Sequence, residues 1–284
     1  MEIVVTLDQM RSWHDTWRRL GKTVALVPTM GALHAGHLAL VTEAAKIVDK
    51  VVVSIFVNPL QFGPSEDFSR YPRDLAVDLE KLAQLGKTDV VFNPTVEIMY
   101  PSGASLTTVT VGEMSQVLCG QSRPTHFAGV TTVVTKLLHI VQPDVAVFGQ
   151  KDAQQLAIIR QMVHDLNFPV KIVGVATVRE SSGLALSSRN QYLSPAEKNQ
   201  ASYLYRGLTA AEELFRNGER RSRVLVAQVN NILASAELSA EYIECVDFES
   251  LCQVDIIERP ATLALAAYVG PARLIDNITL DPGH

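Results

Sequence analysis

The sequence predicts an α/β protein, with an open, mostly parallel sheet in a larger N-terminal domain and a smaller α+β domain after it. Three observations lead there. Short runs rich in Val and Ile alternate with stripes of apolar residues at helical spacing as far as Val175. Several of those runs pass directly into a loop and then a helix, and the alternation stops after Val178-Arg179.

Taken in order, Ile3-Val4-Val5 reads as a first strand, and residues 7–20 as a helix that Gly21 ends. Residues 23–27 form the next apolar run, after which Leu38, Val41, Ala45 and Val48 recur at helical spacing. Residues 50–57 are nearly continuous β-branched sequence, as expected of a parallel strand buried on both faces. Tyr71-Pro72-Arg73-Asp74 opens a helix with a stripe of Leu75, Leu79, Leu82 and Leu85, and residues 89–92 read as a strand. Residues 95–124 are looser, with a turn at Pro101-Ser102-Gly103 and a hairpin strand expected over 106–111. This excursion is expected to cover a site or to join subunits. Val130, Val133, Val134, Leu137, Leu138 and Val141 mark a buried amphipathic helix. A strand over 144–148, a helix carrying Leu156, Ile159, Val163 and Leu166, and a strand over 170–175 complete the series.

The expected domains are residues 1–179 and 180–284. In the second, Ser194-Pro195-Ala196-Glu197 carries helix-start signals ahead of a stripe of Ala201, Leu204, Leu208, Ala211 and Phe215. Another helix runs through Leu225, Val229 and Ile232, and two β-like runs, 242–246 and 261–266, precede Arg273-Leu274-Ile275-Asp276-Asn277.

Composition narrows the function. A chain of 284 residues, 47% apolar and 19% charged, can bury a sizeable core and is neither disordered nor a coiled coil. A net charge of −5 without a basic run argues against nonspecific binding to nucleic acid or to anionic membrane. Cys119, Cys245 and Cys252 form no Cys-x-x-Cys pair, which predicts neither a disulfide framework nor a thiolate zinc site. The N-terminus lacks a signal-peptide pattern, and no run of about 18 apolar residues occurs, so a soluble, cytoplasmic protein is expected.

The chemistry concentrates at strand ends. In Val27-Pro28-Thr29-Met30-Gly31-Ala32-Leu33-His34-Ala35-Gly36-His37, the proline is expected to stop the ladder. Gly31 and Gly36 permit close backbone approach, and the following helix would aim N–H groups at an anion. His34 and His37, three apart, share a face if their turn is helical and can then reach one phosphate; they also read as surface histidines beside a tight turn. At the end of the next run, Gln61 in Asn58-Pro59-Leu60-Gln61-Phe62 reads as a ligand contact or as a loop amide bonded to its own backbone. His126, near a helix start, reads as a cap neighbour. A second strand–loop–helix junction at Gly149-Gln150-Lys151-Asp152 reads as a phosphate cradle or as a solvated lysine at a turn. Neither junction has Walker or Gly-x-Gly-x-x-Gly spacing. The small polar stretch 180–190 reads as an interdomain linker or as a loop that delivers Arg189.

His-x-Gly-His after an apolar strand resembles the "HIGH" signature of adenylyl-transferring enzymes. Its flanks, together with Ile55-Phe56-Val57-Asn58-Pro59-Leu60-Gln61-Phe62, resemble the pantothenate synthetase (pantoate–β-alanine ligase) family. The likeness covers nearly the whole chain and is densest at residues 28–37, 56–62, 148–155 and 184–190. Arg123-Pro124-Thr125-His126-Phe127 and Leu274-Ile275-Asp276-Asn277 agree as well.

The resemblance implies a Rossmann-like first domain, a small lid domain and a homodimer. It also implies ATP-dependent condensation of pantoate with β-alanine to pantothenate, through a pantoyl adenylate, with release of AMP and pyrophosphate. His34 and His37 would bind ATP phosphates, His37 acting on the leaving phosphate, within a nucleotide-binding stretch of Met30, Gly31, Ala32, Leu33, Ala35 and Gly36. Gln61 and Gln155 would hold pantoate, with Met30 packing nearby. Gly149, Gln150, Lys151 and Asp152 would bracket phosphate and ribose, and Val178 and Leu186 would lie near adenine. Ser187, Ser188 and Arg189, in the place of the mobile "KMSKS" loop, would close over the phosphates, Lys151 and Arg189 supplying catalytic charge. Asp78 would be the carboxylate near Mg2+; some family members also have an acidic residue where this chain has Val77. The two glutamines disfavour a nucleotidyltransferase for phosphate-bearing acceptors, which would need a basic acceptor pocket.

Overall fold

The computed structural model describes residues 1–64, 66–103 and 105–283. The chain forms two compact units: Met1–Ser115 with Arg123–Gln150 and Ile158–Ala176, and Gln116–Ser122 with Lys151–Ala157 and Thr177–His284.

The first unit is built on an all-parallel sheet of β1 (Glu2–Val4), β2 (Val24–Thr29), β3 (Lys50–Ile55), β4 (Val90–Phe92), β5 (Val145–Gly149) and β6 (Lys171–Val175). Their spatial order is β1-β4-β3-β2-β5-β6. The helices up to residue 165, in chain order, are α1 (Leu7–Arg19), α2 (Ala35–Ile47), α3 (Leu75–Leu85), the short α4 (Val96–Met99) and α5 (Cys119–Ser122), α6 (His126–Val141) and α7 (Ala153–Asp165), of which α5 and the start of α7 belong to the second unit. Val51, Val52, Val53, Val90, Val91 and Phe92 are almost wholly buried. That explains why these strands read as apolar runs and not as alternations. Strand succession runs outward from β2 on one side and from β5 on the other, so the switch point falls between them. Loops that leave the carboxyl ends of two such neighbours diverge and open a crevice.

Two local expectations are corrected. Pro28 does not stop the ladder: β2 pairs with β3 through Pro28↔Ser54 and Thr29↔Ile55, while its pairing with β5 ends at Leu26↔Ala146. A strand residue donates toward one neighbour only, so the missing N–H is tolerated where the other side has already parted. The stretch 106–111 forms no strand. The N–H of Val109 donates to Thr132 Oγ1 (3.0 Å) and its carbonyl accepts from Thr131 Oγ1, so helix hydroxyls satisfy the backbone that a partner strand would have paired.

The second unit packs α8 (Pro195–Arg216) and α9 (Ser222–Ser235) on an antiparallel sheet of β7 (Ala240–Asp247), β8 (Ala261–Val269) and β9 (Ala272–Leu280). Ser194 caps α8 in a reciprocal box: its hydroxyl accepts from the N–H of Glu197, whose carboxylate accepts from the N–H of Ser194 at 2.7 Å. Leu204, Leu208, Leu225, Val229, Leu233, Leu263 and Leu265 form its core. The strand β9, which contains Arg273–Asn277, goes beyond the two runs expected here. Among the described residues no helix is long and apolar enough to cross a membrane.

Candidate functional site

The loop after β2 is shaped by an unusual backbone. Gly31 and Ala32 both have positive φ, 79° and 50°, which turns the N–H groups of Ala32 and Leu33 to one side. Both meet the carboxylate of Asp78 on α3, at 2.8 and 2.7 Å. Asp78 is 2% exposed, and burial holds its carboxyl above the ordinary range even though the two backbone bonds and Lys81 favour the charged form. A Cβ at Gly31 would sit 3.0 Å from the Asp78 oxygen, so this glycine is required for closeness as well as for φ. The anion nest in this loop is thus filled from within by a carboxylate.

The two histidines then cap α2. His34, the N-cap, accepts the N–H of Gly36 on Nδ1 (3.1 Å), and His37 Nδ1 accepts the N–H of His34 (3.3 Å), in a capping box made of imidazoles. Their ring centroids lie 4.1 Å apart, with the planes tilted by 34°. Because both Nδ1 atoms accept backbone protons, each ring carries its own proton on Nε2. The helical turn expected from their spacing is present, and two of the helix-start donors are spent on the rings themselves.

At the end of β3, Pro59–Gln61 is a single 3-10 turn capped by Asn58. Asn58, 1% exposed, uses its whole amide: Nδ2 donates to Gly129 O (3.0 Å) and Gln61 Oε1 (3.2 Å), while Oδ1 accepts from the N–H of Leu60 (3.3 Å) and the hydroxyl of Tyr100 (2.8 Å). Gln61 therefore has Nε2 as its donor, and that nitrogen donates to the sulfur of Met30 at 2.9 Å. The turn rests directly on α6 at Gly129, where a Cβ would lie only 2.3 Å from Leu60 O. The Gln61 carbonyl is gripped by His126 Nδ1 (2.8 Å) and Arg123 Nη2 (3.2 Å), and Arg123 is paired with Glu66. His126 is thus a strut for the Gln61 turn; donating from Nδ1, it accepts Arg123 Nη1 on Nε2 at 3.2 Å. Burial pushes the Glu66 carboxyl up, but the Arg123 hydrogen bonds and charge outweigh it and hold it below its ordinary value.

In the second unit, Lys151 belongs to the 3-10 turn Gln150–Asp152 at the start of α7. Its side chain is 20% exposed and its ammonium lies 4.0 Å from Asp152, which disfavours the solvated-lysine reading. The adjacent glutamines differ. Gln154 is buried and spends its amide on the Cys119 N–H (3.0 Å) and Val117 O (2.7 Å), whereas Gln155 is half-buried and bonds to no other side chain among the described residues. Residues 178–186 form a closed hairpin, with Glu180 N–H donating to Leu184 O (2.8 Å) and Leu186 N–H to Val178 O (3.0 Å). Ser187 then caps the 3-10 turn Ser188–Tyr192, its hydroxyl accepting the N–H of Arg189 at 3.3 Å. Ser188 is buried; Leu186, Ser187 and Arg189 are half-buried. The hairpin is held by Arg179, which forks onto Asp276 at 2.6 and 2.9 Å. Among these groups, sequence reasoning gave no role to Asn58, Tyr100, Glu66, Arg179 and Asp276. Asn58 left a signal as an amide three residues before Gln61 at a strand end, and Asp276 lay in a stretch that agrees with the family resemblance.

Among the described residues no cluster of three or more His, Cys, Asp or Glu side chains is placed to hold a metal ion. Asp78, expected near magnesium, accepts one backbone N–H on each carboxylate oxygen.

A doubly wound parallel sheet with a His-x-Gly-His cap at the tip of the strand beside its switch point is the architecture of a HIGH-type adenylyl-transferring α/β enzyme. The family model for pantoate-beta-alanine ligase matches residues 2–279, and the chain belongs to that family. A pantothenate synthetase of Thermoanaerobacter sp. (strain X514) is 54% identical over 259 residues, 91% of each chain. The crystal structure of pantothenate synthetase from Thermus thermophilus superposes with a TM-score of 0.93 at 44% identity, covering 99% of this chain and 100% of that one. The pantoate-beta-alanine ligase of Francisella tularensis, solved with β-γ ATP and β-alanine, gives a TM-score of 0.80 at 36% identity over 98% and 97% of the two chains. The chain is accordingly an ATP-dependent, AMP-forming ligase that condenses pantoate with β-alanine.

Proposed function

We propose that this chain makes pantoyl adenylate with the groups described above and that the histidine cap is central to that step. The cap carries the reading: with both Nδ1 atoms committed to backbone N–H groups, His34 and His37 have Nε2–H donors suited to phosphate oxygens. Pantoate, held by the Nε2 donor of Gln61 and by Gln155, attacks the α-phosphorus of ATP in line. Pyrophosphate departs, and His37, Lys151 and Arg189 follow the charge that develops on it. β-Alanine then enters as the free amine, attacks the acyl carbonyl and expels AMP.

Gly36, Gly149, Gln150 and Asp152 contribute to the nucleotide pocket, and Val178 and Leu186 pack on adenine. Ser187 and Ser188 cap and brace the Arg189 turn. Of the loop after β2, Ala32 and Leu33 act through Asp78, since it takes their N–H groups. Magnesium would be brought in with ATP and would supply charge neutralisation at its phosphates, since no cluster of three or more His, Cys, Asp or Glu among the described residues is placed to hold it. The three free thiols suit a reducing cytoplasm, and a homodimer is the proposed assembly.

The test is isotope exchange. Protein given MgATP and pantoate alone should exchange labelled pyrophosphate into ATP, and His37→Ala, Lys151→Ala and Arg189→Ala should each reduce that exchange by about 100-fold or more. Exchange that begins only when β-alanine is added rules out a free-standing adenylation step. Near-normal exchange in any one variant, with unchanged melting, removes that residue from the site.

A further inference from the structure

Two neighbouring residues on β9 are tied to two distant segments of the second unit. Asn277 Nδ2 donates to the backbone carbonyl of Lys151 at 2.8 Å. Asp276, 3% exposed, takes both terminal nitrogens of Arg179. The same guanidinium also donates to Gly183 O (3.1 Å) and Asn277 O (3.4 Å), and it lies 3.7 Å from the ring centre of Tyr205 on α8. The Asn277 N–H closes the group onto Asp276 Oδ1 at 2.8 Å. Gly183, at the hairpin tip, has φ of +91° and lies so close to Tyr205 that a Cβ would fall 2.6 Å from the ring.

The strand that carries these residues is paired with β8 along its whole length. Asp276 and Asn277 are paired in register with Leu265 and Ala264 of the central strand β8, whose residues are almost all buried. The segments they hold are a 3-10 turn and a short hairpin, both outside the regular sheets, so side-chain anchors add to what their own backbone bonds fix. A lysine that must meet a developing charge gains from a fixed Cα, because its four-carbon stem is otherwise free to wander.

We propose that Asn277 is a positioning residue for Lys151, and that the Asp276–Arg179 pair is the matching anchor for the hairpin preceding Leu186–Arg189. One strand thereby sets the register of both segments. This rests on the assignment of Lys151 and Arg189 to phosphate chemistry. Asn277 touches the backbone of Lys151 and acts on its ammonium through the turn.

The experiment is a double-mutant cycle on pyrophosphate exchange, using the full chain and comparing Asn277→Ala, Lys151→Ala and the pair. Loss of one hydrogen bond that orders a catalytic group should lower exchange about tenfold, with the pantoate KM unchanged and the ATP KM or kcat carrying the loss. Added to Lys151→Ala, the same substitution should cost less than about twofold, because the group it orders is gone. Asn277→Asp keeps the size but turns an acceptor toward the Lys151 carbonyl; it should lose at least as much exchange as Asn277→Ala and serves in its place if the alanine variant melts early. Arg179→Lys, which cannot fork onto Asp276, should raise the ATP KM and speed proteolytic nicking within residues 180–183.

Near-normal exchange in Asn277→Ala overturns the proposal, as does an undiminished loss on the Lys151→Ala background. If Lys151→Ala itself exchanges normally, the fault lies in the assignment of Lys151, which separates that failure from a failure of the positioning role.

Discussion

The side-chain amide of Asn58 donates to Oε1 of Gln61 at 3.2 Å, and this bond decides that Gln61 presents a donor and not an acceptor. Since Asn58 must also give a proton to Gly129 O and receive one from the Leu60 N–H, its orientation cannot be reversed, and that of Gln61 follows.

Gln61→Glu keeps the acceptor that Asn58 needs and replaces the donor by a second oxygen. It should raise the pantoate KM by about tenfold or more, because a carboxylate or hydroxyl of the substrate loses its proton donor and meets a like charge. Gln155→Ala should act in the same direction. The ATP KM should stay within about twofold in both. Steady-state kinetics with each substrate varied in turn is the check, and a change confined to ATP contradicts the assignment.

Asp78 accepts two backbone N–H groups from a loop in the left-handed region. Asp78→Asn places an amide N–H against one of those donors, so the variant should lose about 1–3 kcal/mol of stability. It should also bind ATP more weakly, because the loop that leads into the histidine cap is no longer tied down. Urea midpoints and calorimetric ATP titration measure the two effects. An unchanged midpoint means that the tether contributes nothing.

The Glu66–Arg123 pair makes stability depend on pH. The native carboxyl lies below its ordinary value of 4.5, so the folded state binds fewer protons than the unfolded state as pH falls below that value. The stabilisation is fully present above the unfolded pKa and is lost as pH falls through the folded one. Glu66→Gln should therefore be about 1–3 kcal/mol less stable than the parent at pH 7, with the gap narrowing progressively at acid pH. Denaturant midpoints across that range test it; a gap that does not narrow assigns the loss to packing.

Much of this protein was legible from local sequence. The β-branched runs declared the buried parallel strands because a strand covered on both faces has no polar side to show. The Ser194–Glu197 box and the leucine stripe declared α8, since capping and helical period are properties of neighbours in the chain. His34, His37, Gln61 and Lys151 stood out because each falls just past a strand end. Beyond that distance the sequence was silent. That Asp78 fills the nest at Ala32–Leu33, 45 and 46 residues away, depends on where α3 packs. That Arg179 meets Asp276, 97 residues on, depends on how β9 joins its sheet. The fate of Pro28 depended on where β5 parts from β2, and that of residues 106–111 on two threonine hydroxyls of α6. Hydrogen bonds and ion pairs between remote segments have no period and no fixed spacing. The tertiary structure therefore decided which polar groups hold the loops and which ones the loops offer to a substrate.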